Sequence, residues 1–242
     1  KTIEKMEPAL GIKITEPIRV TVFNNQVEML EAQQRRSEAT TRQTATLGQA
    51  STEEGVLIMI ADRNSVGTAS HEIMHILINR AGDSPFRNVP SWLNEGLAED
   101  GNIDSGLEYD IALDFAVETD TLLPFIYMTT PPGNPEQLII FYGQGKSIVR
   151  MIIQRWGVKK MADLLAHHKL KGNIETAIED VYGVTLLELE NTWREEIGAA
   201  PFIPEPSGHA RPTPISQRTI GMFSLTPQAG TEVVSSKSSE TT

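Results

Sequence analysis

The chain of 242 residues predicts an α+β fold: a small α/β lobe at residues 1–81, a mainly helical lobe at 82–198, and a Pro/Ser/Thr-rich tail at 199–242. Three observations predict this. Up to Gly82, short apolar runs of strand length alternate with helical patterns. Beyond Gly82 the patterned stretches all carry the helical period. From about Ala199 proline, serine and threonine dominate and no apolar period survives, which reads as a disordered tail outside the fold.

The elements follow in order. "PIRVTVF" (Pro17 to Phe23) alternates as a strand does, and "NNQVEMLEAQQRRS" has the spacing of a helix with a polar outer face. "ATTRQTATLGQASTEEG" is polar and weakly patterned, a loop or irregular strand. "GVLIMIAD" (Gly55 to Asp62) is an apolar run of strand length, ended by turn-forming Asp62, Arg63 and Asn64. "TASHEIMHILINRAG" (Thr68 to Gly82) is a helix apolar nearly all round, the mark of a buried helix. "VPSWLNEGLAEDG" starts at Pro90 and Ser91 and stops at Gly101, and "LEYDIALDFAVETD" is again helical. The Pro-rich "TLLPFIYMTTPPGNPE" is long for a connection in a compact domain, and such loops often border functional sites. A long helix, "QLIIFYGQGKSIVRMIIQRWG", ends at Gly157. Three helical stretches follow, the last opened by the capping box Thr185-x-x-Glu188. Trp92, Trp156 and Trp193 read as core.

Composition narrows the function. A hydrophobic fraction of 39% and a charged fraction of 22% are those of an ordinary globular protein. A net charge of -11 argues against a nucleic-acid partner, which calls for a basic face. No uninterrupted apolar run approaches the roughly 20 residues that span a bilayer, so no transmembrane segment is expected. Cysteine is absent, which removes disulfides and thiolate metal sites. The first residue, Lys1, points to a lost leader, an earlier domain or an artificial boundary upstream. With the stalk-like tail, this suits an extracytoplasmic or secreted protein.

Two histidines and a glutamate interrupt the apolar helix, and ionisable groups are not buried without partners. His71, Glu72 and His75 form an HExxH pattern. Residues at i and i+4 lie one above the other on a helix, so both imidazoles can share one ion. Glu72 is then free to take a proton from water instead of binding the ion. Catalytic zinc takes three protein ligands and leaves a fourth position open. Glu95, twenty positions after His75, stands on a helix that the turn at Gly82–Pro85 can fold back beside the first. Glu99, one turn further, can hydrogen-bond a ligand histidine or simply face solvent. His167, His168 and His209 sit in polar contexts, and no second metal site is expected there.

HExxH followed by "WLNEG" at this interval resembles the gluzincin metallopeptidases, the thermolysin and aminopeptidase-N group. The resemblance implies a zincin-like domain with its active-site cleft between the lobes. It implies His71, His75 and Glu95 as ligands of one Zn²⁺ ion, with Glu72 as general base. Aminopeptidase-like members start a helix with Y-x-K-G, whose tyrosine stabilises the oxyanion. This chain has Tyr142-Gly143-Gln144-Gly145, with Gln144 in place of the lysine. Gly143 and Gly145 would let that helix approach another backbone closely. The segment from Lys146 to Ile197 is similar to the helical half of peptidase MA-like domains, so the resemblance spans roughly Pro17 to Gly198.

The expectation is zinc-dependent hydrolysis of a peptide or protein substrate, seated by strand addition on "GVLIMI". Aminopeptidases of this group grip the substrate amine with a G-x-M-E-N segment. In the matching region, "GQASTEEGVLIMI", Thr52 is read in the place of that glutamate, with Glu53 and Glu54 displaced. Cleavage within chains, by an endopeptidase, is therefore expected. An aminopeptidase, a zinc-binding module without turnover and a hydrolase of a non-peptide substrate remain beside it.

Overall fold

The structure is a computed structural model that describes residues 1–36, 48–52, 54–85 and 87–204. In chain order its elements are α1 (Thr2–Leu10), β1 (Arg19–Phe23), α2 (Gln26–Arg36), β2 (Gly48–Ser51), β3 (Val56–Ile60) and α3 (Ser65–Gly82). Then come α4 (Ser91–Gly101), α5 (Glu108–Glu118), a 3₁₀ turn at Phe125–Tyr127, α6 (Pro135–Trp156), α7 (Val158–Lys171), α8 (Ile174–Tyr182) and α9 (Leu186–Glu196). Among the described residues the fold is mostly helical with one small sheet, in keeping with α+β. Residues 1–204 form one compact unit.

The sheet runs β1-β3-β2, with β1 parallel and β2 antiparallel to β3. Alternation along β3 sends Val56 and Ile58 to one face, where Met29 of α2 packs on them. Leu57 and Met59 point to the opposite face, which α3 covers. This corrects one expectation. β3, the apolar "VLIMI" run, is paired along both edges and has no edge left for a substrate. Among the described residues the edge nearest α3 belongs to β2, whose sequence "GQAS" lacks strand alternation. Gly48 is what lets β2 lie so close to α3. A Cβ there would sit 2.7 Å from Thr68 Cγ2 and 3.1 Å from Glu72 Cγ.

The helix of the HExxH pattern begins at Ser65, earlier than Thr68, because the turn before it is hydrogen-bonded. Asp62 N–H donates to Ser65 Oγ at 2.7 Å and Asn64 N–H to Asp62 Oδ1 at 2.9 Å. Met74, Ile76, Leu77 and Ile78 are fully buried, as an apolar helix requires. One element has no counterpart in the sequence reading. α1 buries Met6, Ala9 and Leu10 against α7 and α3 despite Pro8 in its interior.

α4 and α6 cross with their backbones in contact. A Cβ on Gly96 would lie 2.3 Å from Gly145 O, and one on Gly145 would lie 2.7 Å from Trp92 O. The Pro-rich connection then serves α4 directly. No side chain caps the start of α4, and Met128 O and Thr129 O accept from Trp92 N–H and Ser91 N–H at 3.1 and 3.3 Å. Gln144, fully buried, clamps the same connection through Leu123 N–H (2.7 Å) and Leu123 O (2.9 Å). Glu190 accepts from Phe125 N–H at 3.0 Å and pairs with buried Arg194 at 2.8 Å.

Trp92 and Trp193 lie in the core, while Trp156 is half-buried against Tyr182 at 4.7 Å. His168 differs from its polar reading. It is buried, and its ring lies 2.8 Å from Gly82 O, tying α7 to the end of α3. Of the expected tail, residues 205–242 lie outside the described residues. The stretch just before them is tied to α9: Phe202 N–H donates to Asn191 Oδ1 at 2.7 Å, and Asn191 Nδ2 donates to Phe202 O at 3.2 Å.

Candidate active site

α3 presents His71 and His75 on one face, and the ring centroids stand 4.7 Å apart, edge to face. The turn after Gly82 returns the chain so that α4 lies beside α3 and brings Glu95 to the two rings. His71 Nε2 and His75 Nε2 are 3.0 Å apart. Glu95 Oε2 lies 3.4 Å from the first and 3.5 Å from the second.

The outer nitrogens decide what that cluster can hold. His75 Nδ1 lies 2.6 Å from Asn94 Oδ1, an amide oxygen that can only accept. His71 Nδ1 lies 2.7 Å from Glu99 Oε1, an ion-pair contact without hydrogen-bond alignment. With a proton on each Nδ1, both Nε2 lone pairs face inward, toward a carboxylate. Among the described residues buried Glu95 Oε2 has no hydrogen-bond partner. Burial alone pushes the His71 imidazolium pKa down, yet Glu95 and Glu99 together raise it to about 10. The two carboxylates therefore favour positive charge at His71. Two imidazole nitrogens and one carboxylate oxygen, all within 4.8 Å of one another, are the donor set of a catalytic zinc site with one position open. The residues fit the ion.

Glu99, read from sequence as either an outer partner or a surface residue, is only 3% exposed and sits on His71. Its other oxygen accepts from Ser105 Oγ at 3.2 Å. Glu72 stands apart from the three converging groups. It lines a cleft of about 390 Å³ with Gly48, Ala50, Thr52, His75 and Asn94. Tyr142 reaches the site from α6, its ring 6.3 Å from that of His71. Burial, and then the nearby Glu95, push the Tyr142 phenol well above its ordinary pKa, so it remains a donor at neutral pH.

Two residues at the site were not singled out by sequence. Asn94 adjoins a proposed ligand inside "WLNEG", and its position in that motif was the available signal. Tyr109 of α5 stacks obliquely on Tyr142, with ring centroids 5.5 Å apart; no motif marks it.

No curated protein and no solved structure shows significant similarity to the chain. A family model described as the Peptidase MA superfamily matches residues 1–199. That stretch takes in every element from α1 to α9, including the first helix that the sequence reading passed over, and the chain belongs to the Peptidase MA superfamily.

Proposed function

We propose that this chain is a zinc-dependent metallopeptidase that cuts within peptide chains. Superfamily membership by itself suggests a metallopeptidase-like function. One observation carries the finer reading: His71 Nε2, His75 Nε2 and Glu95 Oε2 converge within 3.5 Å of one another, with Glu72 also lining the cleft. A module that only held zinc would have no use for Glu72.

In this reading the cleft lies between the α/β lobe of residues 1–81, through β2 and α3, and the helical lobe of residues 82–198, through α4. Zinc held by His71, His75 and Glu95 would supply a Lewis acid that acidifies water and polarises the scissile carbonyl. Glu72 takes a proton from the attacking water as its oxygen bonds to the carbonyl carbon. It then delivers that proton to the amine nitrogen as the C–N bond breaks. Tyr142 Oη donates a hydrogen bond to the carbonyl oxygen as negative charge builds there. Asn94 and Glu99 hold the two rings in the orientation this requires. An extended substrate pairs with the β2 edge, which Gly48 keeps against Glu72.

Cutting within chains rests on the lack of a carboxylate along β2 among the described residues. Thr52, just past β2, lines the cleft, and Glu54 sits in the exposed turn before β3. Glu53 lies outside the described residues. The test is a quenched peptide library incubated with the purified chain, with and without a chelator, alongside metal analysis. Chelator-sensitive cleavage with one zinc per chain is expected. Cleavage indifferent to chelator would overturn the reading.

A further inference from the structure

Among the described residues Tyr142 Oη has no hydrogen-bond partner, so the direction of the hydroxyl is set by what its ring touches. Its ring neighbours are His71, the adjoining core residue Phe141 (6.0 Å) and Tyr109 (5.5 Å, planes inclined at 45°). His71 belongs to the metal cluster and Phe141 is fixed in the core. Tyr109 is the contact that a separate helix supplies.

That helix is pinned at this point. Tyr109 O lies against Gly143, the residue after Tyr142, where a Cβ would come within 2.4 Å of it. The next residue, Asp110, pairs with Lys146 Nζ at 2.9 Å. Lys146, one turn beyond Tyr142, is 2% exposed, and a buried ammonium without its partner is costly. Glycine contact and ion pair together lock the register of α5 on α6, and Tyr109 is half-buried between them and the site.

We propose that Tyr109 is a positioning residue, which through its ring aims Tyr142 Oη at the scissile carbonyl. The proposal rests on the reading of Tyr142 as the oxyanion donor. It differs from a plain packing role because its whole effect must pass through one hydroxyl.

The experiment uses the full zinc-loaded chain and an N-terminally blocked, internally quenched peptide that the wild type cleaves. Tyr109→Leu keeps bulk but loses the ring; kcat should fall about 10²-fold, the scale expected of a misplaced group. KM should stay within about twofold, and zinc should be retained. Tyr109→Phe should restore kcat to within about twofold. In a Tyr142→Phe background Tyr109→Leu should cost no more than about a further twofold, since residues acting as one unit are not additive. A phosphinic peptide, which mimics the tetrahedral oxyanion, gives a binding readout by calorimetry with the same non-additive pattern expected. Tyr109→Met stands in should the leucine variant fail to fold. Wild-type kcat in Tyr109→Leu, or a full additive loss in the double variant, would overturn the proposal. Wild-type kcat in Tyr142→Phe alone would instead remove the oxyanion role on which it rests.

Discussion

Gly96 of α4 and Gly145 of α6 meet backbone to backbone, with room for no side chain on either: a Cβ on Gly96 would lie 2.3 Å from Gly145 O. This crossing sets the spacing of the site, because Glu95 adjoins the first glycine and Tyr142 lies one turn before the second. In the proposed mechanism, which needs a carboxylate and a phenol on two different helices, two missing methyl groups bring those helices together.

Gly96→Ala should therefore push α4 off α6. Overpacking typically costs about 1–3 kcal/mol. In a chain of this size each kcal/mol lowers the thermal midpoint by roughly 2–4 °C. Zinc content should fall with it, as Glu95 is carried away from His71 and His75. A calorimetric scan and metal analysis check both; an unchanged midpoint would mean the crossing has slack.

The ligand cluster and the residues behind it should separate in a titration. His71→Ala, His75→Ala and Glu95→Ala each remove one of three ligands and should lose the zinc. Glu99→Gln and Asn94→Ala leave the ligands in place and only loosen ring orientation, so zinc affinity should drop roughly 10- to 100-fold. Competition with a chelator measures the difference. Full zinc occupancy after any of the three ligand substitutions would take that residue out of the cluster.

How far the sequence reached is best seen residue by residue. The HExxH helix was legible because helix geometry alone places His71 beside His75. The convergence of Glu95 was legible only as a spacing, since it depends on α4 folding back. β2 was legible only as a loop or irregular strand: "GQAS" carries no apolar alternation, and its place is set by Gly48 against Thr68 and Glu72. Tyr109 and Gln144 act across long sequence separations, and local periodicity is silent about such pairs. Gln144 in particular looked like a replaced lysine, whereas its amide is spent on the backbone of Leu123. His168 looked polar from its neighbours because burial against Gly82 O comes from a helix far upstream.

Glu72→Gln should separate chemistry from structure. The amide is isosteric, Glu72 stands outside the metal cluster, and the substitution removes only the ability to take a proton. Fold and zinc content should match the wild type while turnover of the quenched peptide disappears. Circular dichroism, metal analysis and a rate assay on one preparation are sufficient. Near wild-type hydrolysis by this variant would mean that another group is the base.

Substrate peptides should be cut at internal bonds. An aminopeptidase must hold a free ammonium at a fixed distance from the scissile bond, and that takes a carboxylate facing the cleft from the strand beside α3. On a strand a shift of one residue turns a side chain to the opposite face, so a glutamate near the right place is not equivalent to one at it. Among the described residues Gly48, Gln49, Ala50 and Thr52 line the cleft from this strand, and none carries a charge to pair with an ammonium. Glu54 lies in the exposed turn before Gly55. Peptides with acetylated N-termini should therefore be cut at least as fast as free ones, at internal bonds. Mass spectrometry of the products, taken early in the reaction, gives the cut positions directly. Stepwise loss of single N-terminal residues, with acetylated peptides inert, would make the protein an aminopeptidase and would require an ammonium partner other than Thr52.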